Sequence, residues 1–118
     1  LNQVFMNVLA NAIDALEESN KGRSFTEIKA LPNQITVQTA LSESNNQVVI
    51  RIKDNGVGMS NDVKENIFNH LFTTKPVGQG TGLGLSIAHQ IVVEKHGGTL
   101  VVNSCLGQGS EFAISIPV

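Results

Sequence analysis

The sequence predicts a two-layer α/β (α+β) sandwich, with helices packed on one face of a largely antiparallel sheet. Two stretches carry helical apolar spacing, one opening the chain and one entered from a run of glycines. Four shorter stretches have strand character and come as two adjacent pairs. The resulting order, αββααββ, has no internal repeat. Strands that pair with their sequence neighbours and are separated by helices make a helix-on-sheet layer rather than a doubly wound fold.

The first helix is expected from Leu1 to about Glu18. It is apolar nearly all round (Val4, Phe5, Met6, Val8, Leu9, Ala12, Ile13, Ala15, Leu16) and should be largely buried. Ser19 to Asn33 reads as polar and irregular, punctuated by Lys21-Gly22 and Leu31-Pro32. Ile35 to Thr39 alternates, and Val48 to Ile52 runs into Asp54-Asn55-Gly56; Ser42 to Asn46 connects them as a hairpin. Ser60 caps a short helix bearing Asp62, Val63, Ile67 and Phe68. A loop from about Asn69 to Gly82 leads to a second long helix, Leu83 to about Lys95, stopped at His96-Gly97-Gly98. Thr99 to Asn103 and Glu111 to Ile116 form a last hairpin across Leu106-Gly107-Gln108-Gly109.

With 118 residues, 41% hydrophobic and 15% charged, the chain reads as one globular domain with a real core. A net charge of −2 and the absence of Tyr and Trp leave neither a basic footprint nor a stacking platform for nucleic acid. Cys105 is the single cysteine, which suits a reducing, cytoplasmic setting. No apolar run is long enough to span a bilayer. Leu1-Asn2-Gln3 already lies inside a helical pattern, so the expectation is an N-terminally truncated piece of a longer polypeptide.

Two patterns carry the chemistry. In Gly78-Gln79-Gly80-Thr81-Gly82-Leu83-Gly84-Leu85-Ser86, glycines recur at every second position and feed into a helix. Such glycines permit close backbone approach, and the helix start offers free N–H groups to an anion. The run lacks the Gly-Lys-Ser/Thr ending of a Walker loop and the spacing of a dinucleotide fingerprint. It points to a phosphorylated ligand of another kind, against the plain alternative of a flexible linker. The second pattern is Gln3, Asn7, Asn11 and Asp14, which form one polar stripe on an otherwise apolar helix. Single buried amides usually find partners within the core. Four in register suit a ligand rich in hydrogen-bonding atoms, or a hard cation such as Mg²⁺ shared with phosphates.

Asn7-x-x-x-Asn11-Ala12, Asp54-Asn55-Gly56-Val57-Gly58, Phe68 to Phe72 and Gly80-Thr81-Gly82-Leu83-Gly84-Leu85 occur in that order. Together they resemble the catalytic ATP-binding domain of sensor histidine kinases, whose fold is shared with DNA gyrase, MutL and a heat-shock chaperone. The resemblance covers nearly all of residues 1–118 and implies a mixed sheet with three helices on one face. Thr73-Thr74-Lys75 is similar to the nitrogen-regulation sensor subfamily. ATP-hydrolysing relatives carry a Glu four residues before the Mg²⁺-binding Asn. Here that position is Asn7, and an amide cannot take a proton from water at neutral pH. The resemblance therefore implies a kinase acting on histidine rather than an ATPase.

By the same resemblance, Asp54 accepts a hydrogen bond from the adenine amino group, Gly56 and Gly58 allow the nucleotide close, and Ser110 lies near the adenine. Asn11 and Asn7 hold Mg²⁺ against the phosphates, with Asn7 also counted as catalytic. The stretch of about 69–82 is an ATP lid. In it and at its end Thr73, Thr74, Lys75, Gly80, Thr81, Gly82, Leu83, Gly84 and Leu85 meet the nucleotide, and Lys75 is either a catalytic γ-phosphate contact or a solvated residue. Asp14 stands where many relatives have Lys or His. His70, His89 and His96 have surface or capping roles, since the phosphoacceptor belongs to a helical-hairpin domain outside this chain. Phe68, Leu71 and Phe72 are core residues or dock the lid on that hairpin. The implied activity is transfer of the γ-phosphoryl group of Mg-ATP to the hairpin histidine, upstream of a response regulator. The full-length protein is expected to be a homodimer, with membrane attachment left open, and this piece a monomer unable to autophosphorylate. The competing readings are a superfamily ATPase and a silent nucleotide-binding regulatory module.

Overall fold

A computed structural model describes residues 1–42, 44, 46–69 and 84–118. Its four strands are β1 (Ile35–Leu41), β2 (Gln47–Asp54), β3 (Thr99–Cys105) and β4 (Gly109–Pro117), ordered β1-β2-β4-β3. Every pairing among them is antiparallel. Helices α1 (Asn2–Asn20), α2 (Phe25–Ala30), α3 (Asn61–Asn66) and α4 (Gly84–Gln90) complete the described elements. From α4 the chain continues through Ile91–Lys95 in wider turns that close on i+5 rather than i+4.

The register decides what the helices cover. Ile50, Ile114 and Leu100 lie in one row across β2, β4 and β3, and Ile52, Phe112 and Val102 in the next. Val4 and Val8 of α1, Ala88 of α4 and Val92 close over these rows. Phe112, Ile114, Val4, Val8 and Val92 are each essentially inaccessible to solvent, and burying a side chain of this class stabilises by roughly 1.5–3 kcal/mol.

Two expectations need correction. α1 is not buried all round: only the stripe Val4, Val8, Ala12, Leu16 is buried, while Met6 and Ile13 remain 65% and 49% exposed. A helix lying on a single sheet has one neighbour layer, so only one stripe of it can be covered. The stretch read as irregular holds α2. Ser24 accepts from the Glu27 N–H at 3.1 Å while the Glu27 carboxylate accepts from the Ser24 N–H at 3.3 Å, a capping box present in the sequence as Ser24-x-x-Glu27. The predicted cap of α3 is present: the Ser60 hydroxyl accepts from the Val63 N–H.

Candidate functional site

The two apolar rows are followed by a polar one. Asp54, Ser110 and Ser104 occupy adjacent register positions on β2, β4 and β3, and their exposures are only 2%, 4% and 9%. Three buried polar side chains beside a hydrophobic core must find partners among themselves or the backbone. The Asp54 carboxylate accepts the Gly56 N–H at 2.9 Å and is also bonded by the Ser110 N–H. The Ser104 hydroxyl accepts the Met59 N–H at 2.8 Å, reaches the Gly109 carbonyl at 2.9 Å and lies 2.8 Å from the Ser110 hydroxyl. Burial pushes the Asp54 carboxyl above its ordinary range, with the two backbone N–H bonds opposing.

The glycines after Asp54 have a packing reason of their own. At Gly56 a Cβ would sit 2.7 Å from the backbone carbonyl of Ala15 in α1. Gly58 has φ +73°, and its Cβ would collide with the Cys105 carbonyl. The turn leaving β2 is thus squeezed between α1 and the β3–β4 hairpin, to which the Gly107 N–H ties it through the Val57 carbonyl at 2.7 Å.

The α1 stripe is built differently. The Gln3 amide donates to the Asn7 oxygen at 2.8 Å, one turn along the helix, and the Asn7 amide donates to the Gly84 carbonyl at 2.8 Å. Asn7 therefore joins the polar stripe to the first residue of α4, where the glycine run ends. Its oxygen keeps one lone pair for a further donor or a cation. Asn11 and Asp14, half-buried, lie further along the same face. Leu85 packs against the core.

Thr73, Thr74, Lys75, Gly80, Thr81, Gly82, Leu83 and most of the expected lid lie outside the described residues, as do His70, Leu71 and Phe72. Phe68 is described and takes the core role: its ring stacks on His89 at 5.0 Å and meets Phe112 edge-on at 6.2 Å. His89 is accordingly a half-buried packing partner, not the surface or capping residue expected; α4 turns it toward the sheet. Ser104 escaped the sequence reading, although its register opposite Ser110 follows from counting back across the Gly107 turn.

On the face of the sheet away from the helices, a cleft of about 280 Å³ is lined by Gln34, Thr36, Gln38, Arg51, Lys53 and Glu111, and by Asp54 and Asn55 at the end of β2. By strand alternation the Asp54 side chain points to the opposite, helix-covered face, so the cleft and the polar row meet only at the end of β2.

With this geometry, residues 1–118 match the family of histidine kinase-, DNA gyrase B-, and HSP90-like ATPases. The chain belongs to that family. Among relatives of this domain, sporulation kinase E of Bacillus subtilis (strain 168) is 37% identical over all of this chain, which spans 14% of that kinase. Sensor histidine kinase ZraS of Escherichia coli O157:H7 is 38% identical, again over all of this chain, which spans 22% of it. The solved catalytic domain of histidine kinase ThkA superposes with a TM-score of 0.72 at 30% identity, covering 98% of this chain and 65% of that one. The domain is of the histidine kinase type, with the α+β fold of its catalytic domains. None of its described helices is long and apolar enough to cross a membrane.

Proposed function

We propose that this histidine kinase-type domain binds Mg-ATP and presents the γ-phosphoryl group to a histidine on a separate helical-hairpin domain of a longer two-component sensor kinase. The observation that carries the reading is the buried Asp54 carboxylate, held at the edge of the core by two backbone N–H groups. An ionised carboxylate only accepts hydrogen bonds. It therefore suits the adenine amino group and rejects a carbonyl in the same place. The cost of keeping that charge buried has a purpose if a base supplies a further donor.

Asn11 would hold Mg²⁺ through its carbonyl oxygen, and Asn7 through its remaining lone pair. That donor set fits an ion that keeps several waters and shares phosphate oxygens. No cluster of three His, Cys, Asp or Glu exists among the described residues to suggest a protein cage instead. When bound, the ion supplies charge neutralisation for phosphoryl transfer. Asn7 holds the start of α4 against α1 and, lacking a carboxylate, leaves water unactivated. The acceptor imidazole is then the nucleophile, and the protein contributes positioning and electrostatics. Lys75, Thr73 and Thr74, with Gly80, Thr81, Gly82 and Leu83, are proposed to contact the phosphates as a lid over about 69–82. A homodimer formed by the hairpin domain and a response-regulator partner complete the proposal.

Calorimetric titration of Mg-ATP tests the reading. Binding should be abolished by Asp54→Asn and by Asn11→Ala, and both variants binding as the parent does would sink it. Incubation with γ-labelled ATP should give neither hydrolysis nor autophosphorylation; steady turnover would favour a superfamily ATPase instead.

A further inference from the structure

The hydroxyl of Ser104 sits where one proton has to serve more than one contact. Its oxygen accepts the Met59 N–H at 2.8 Å, lies 2.9 Å from the Gly109 carbonyl, and lies 2.8 Å from the Ser110 hydroxyl. A carbonyl cannot donate, so the Gly109 contact is a hydrogen bond only if Ser104 spends its single proton there. The contact between the two hydroxyls is then a hydrogen bond only if Ser110 donates. One arrangement alone makes all three contacts hydrogen bonds, and it commits the Ser110 proton to Ser104.

The consequence reaches the neighbouring strand. Ser110 lies directly across from Asp54 in the β2–β4 register. With its proton turned toward β3, Ser110 has only lone pairs to offer on its remaining sides, beside a carboxylate that offers only lone pairs as well. Ser110 and Asp54 together then form an all-acceptor edge. Without Ser104, the Ser110 hydroxyl could rotate and present its proton.

We propose that Ser104 is a positioning residue that sets base specificity: by accepting the Ser110 proton it keeps Ser110 and Asp54 an acceptor-only pair, matched to the two N–H bonds of an exocyclic 6-amino group and mismatched to a 6-oxo group. The inference rests on the nucleotide-binding reading above and deepens it. Ser104 touches no ligand in this scheme. It acts through Ser110, with the Met59 N–H and the Gly109 carbonyl holding its own hydroxyl in place. The main chain around it is tied down further by the Lys64 ammonium of α3, which donates to the Ser104 carbonyl at 3.2 Å.

The test is the ratio of affinities for Mg-ATP and Mg-inosine triphosphate, which differ in the 6-substituent and in the proton on N1, measured on the 118-residue chain and its variants; because the N1 difference is common to parent and variants, the change in ratio reads the 6-substituent. Ser104→Ala should narrow the preference for ATP by about fivefold, the worth of one neutral hydrogen bond gained by the 6-oxo base. Ser104→Thr, which keeps the hydroxyl, should retain the parental ratio. Ser110→Ala in the Ser104→Ala background should remove the gain of the inosine nucleotide, because no proton remains to be redirected. Should Ser104→Ala fail to fold, Ser104→Cys fills the same space with a poor acceptor and should narrow the ratio likewise. A purely structural role would weaken both nucleotides in proportion, and an unchanged ratio in Ser104→Ala, or in Ser104→Cys where Ala does not fold, overturns the proposal. A parent chain that binds ATP but shows no preference over the inosine nucleotide also overturns it. A parent that binds neither nucleotide overturns the nucleotide reading itself, and the inference with it.

Discussion

The two polar clusters of this domain are held in opposite ways. Asp54, Ser110 and Ser104 are sunk in the sheet, each at most 9% exposed, and their partners come from three strands and the turn after β2. Gln3, Asn7 and Asn11 sit on a helix flank, where Asn7 is joined to Gln3 within the helix and to α4 by one bond to Gly84. The sheet cluster is part of the core's construction, while the helix stripe is laid on a surface that the core already supports. Changes that alter the packing around the first should disturb folding and ligand binding together, and changes to the second should disturb binding with little effect on folding.

The severest test of the contrast lies beside the sheet cluster. Gly58→Ala should cost about 3 kcal/mol or more, since it places a Cβ against the Cys105 carbonyl at a positive φ. A urea midpoint near the parent's would show that the turn after β2 can move away from the hairpin. Next, Asp54→Asn should reduce Mg-ATP affinity about a hundredfold or more, because a site built to receive a donor is left with an amide. It should not lower stability at pH 7. A carboxyl whose folded-state pKa is raised contributes stability in full below its unfolded value of about 3.9 and loses it as pH climbs through the folded value. Urea melts of the parent should therefore lose an Asp54 contribution across the window above pH 4, and that component should be missing in Asp54→Asn.

On the helix stripe, Asn7→Ala removes the tie to Gly84 and should cost about 1 kcal/mol in thermal or urea melts. Mg-ATP binding should weaken more than this. Equal losses in folding and binding would erase the distinction between the clusters. The smallest effect is expected on the bare face of the sheet. The Arg51–Glu111 pair there, at 3.4 Å with the arginine side chain 48% exposed, should change stability by about 0.5 kcal/mol or less on Arg51→Ala.

The sequence was a good guide wherever chemistry and spacing act locally. The α1 stripe, the Ser60 cap, both hairpins and the stop at Gly97-Gly98 could each be read from neighbouring residues. It was a weaker guide to burial on α1, because Met6 and Ile13 look like core residues until the single sheet beneath the helix is known. It passed over α2, whose capping box was visible in Ser24 and Glu27 but was outweighed by the surrounding polar residues. His89 illustrates the same limit: its ring meets Phe68, which lies 21 positions earlier and reaches it only through the fold.

By itself, the sequence determined the order of the four strands and of α1, α3 and α4, the polar stripe, the glycine-rich entry to α4 and the family, because each rests on residue type and spacing along the chain. Only the tertiary structure decided that Ser104 meets Ser110 and that Gly56 must be small because Ala15 lies against it. It also put Asn7 in contact with α4 across 77 positions of chain. The physical reason is strand register: one pairing across β2, β4 and β3 places three polar side chains in a single row, and hydrogen-bond satisfaction within that row then assigns each proton its place.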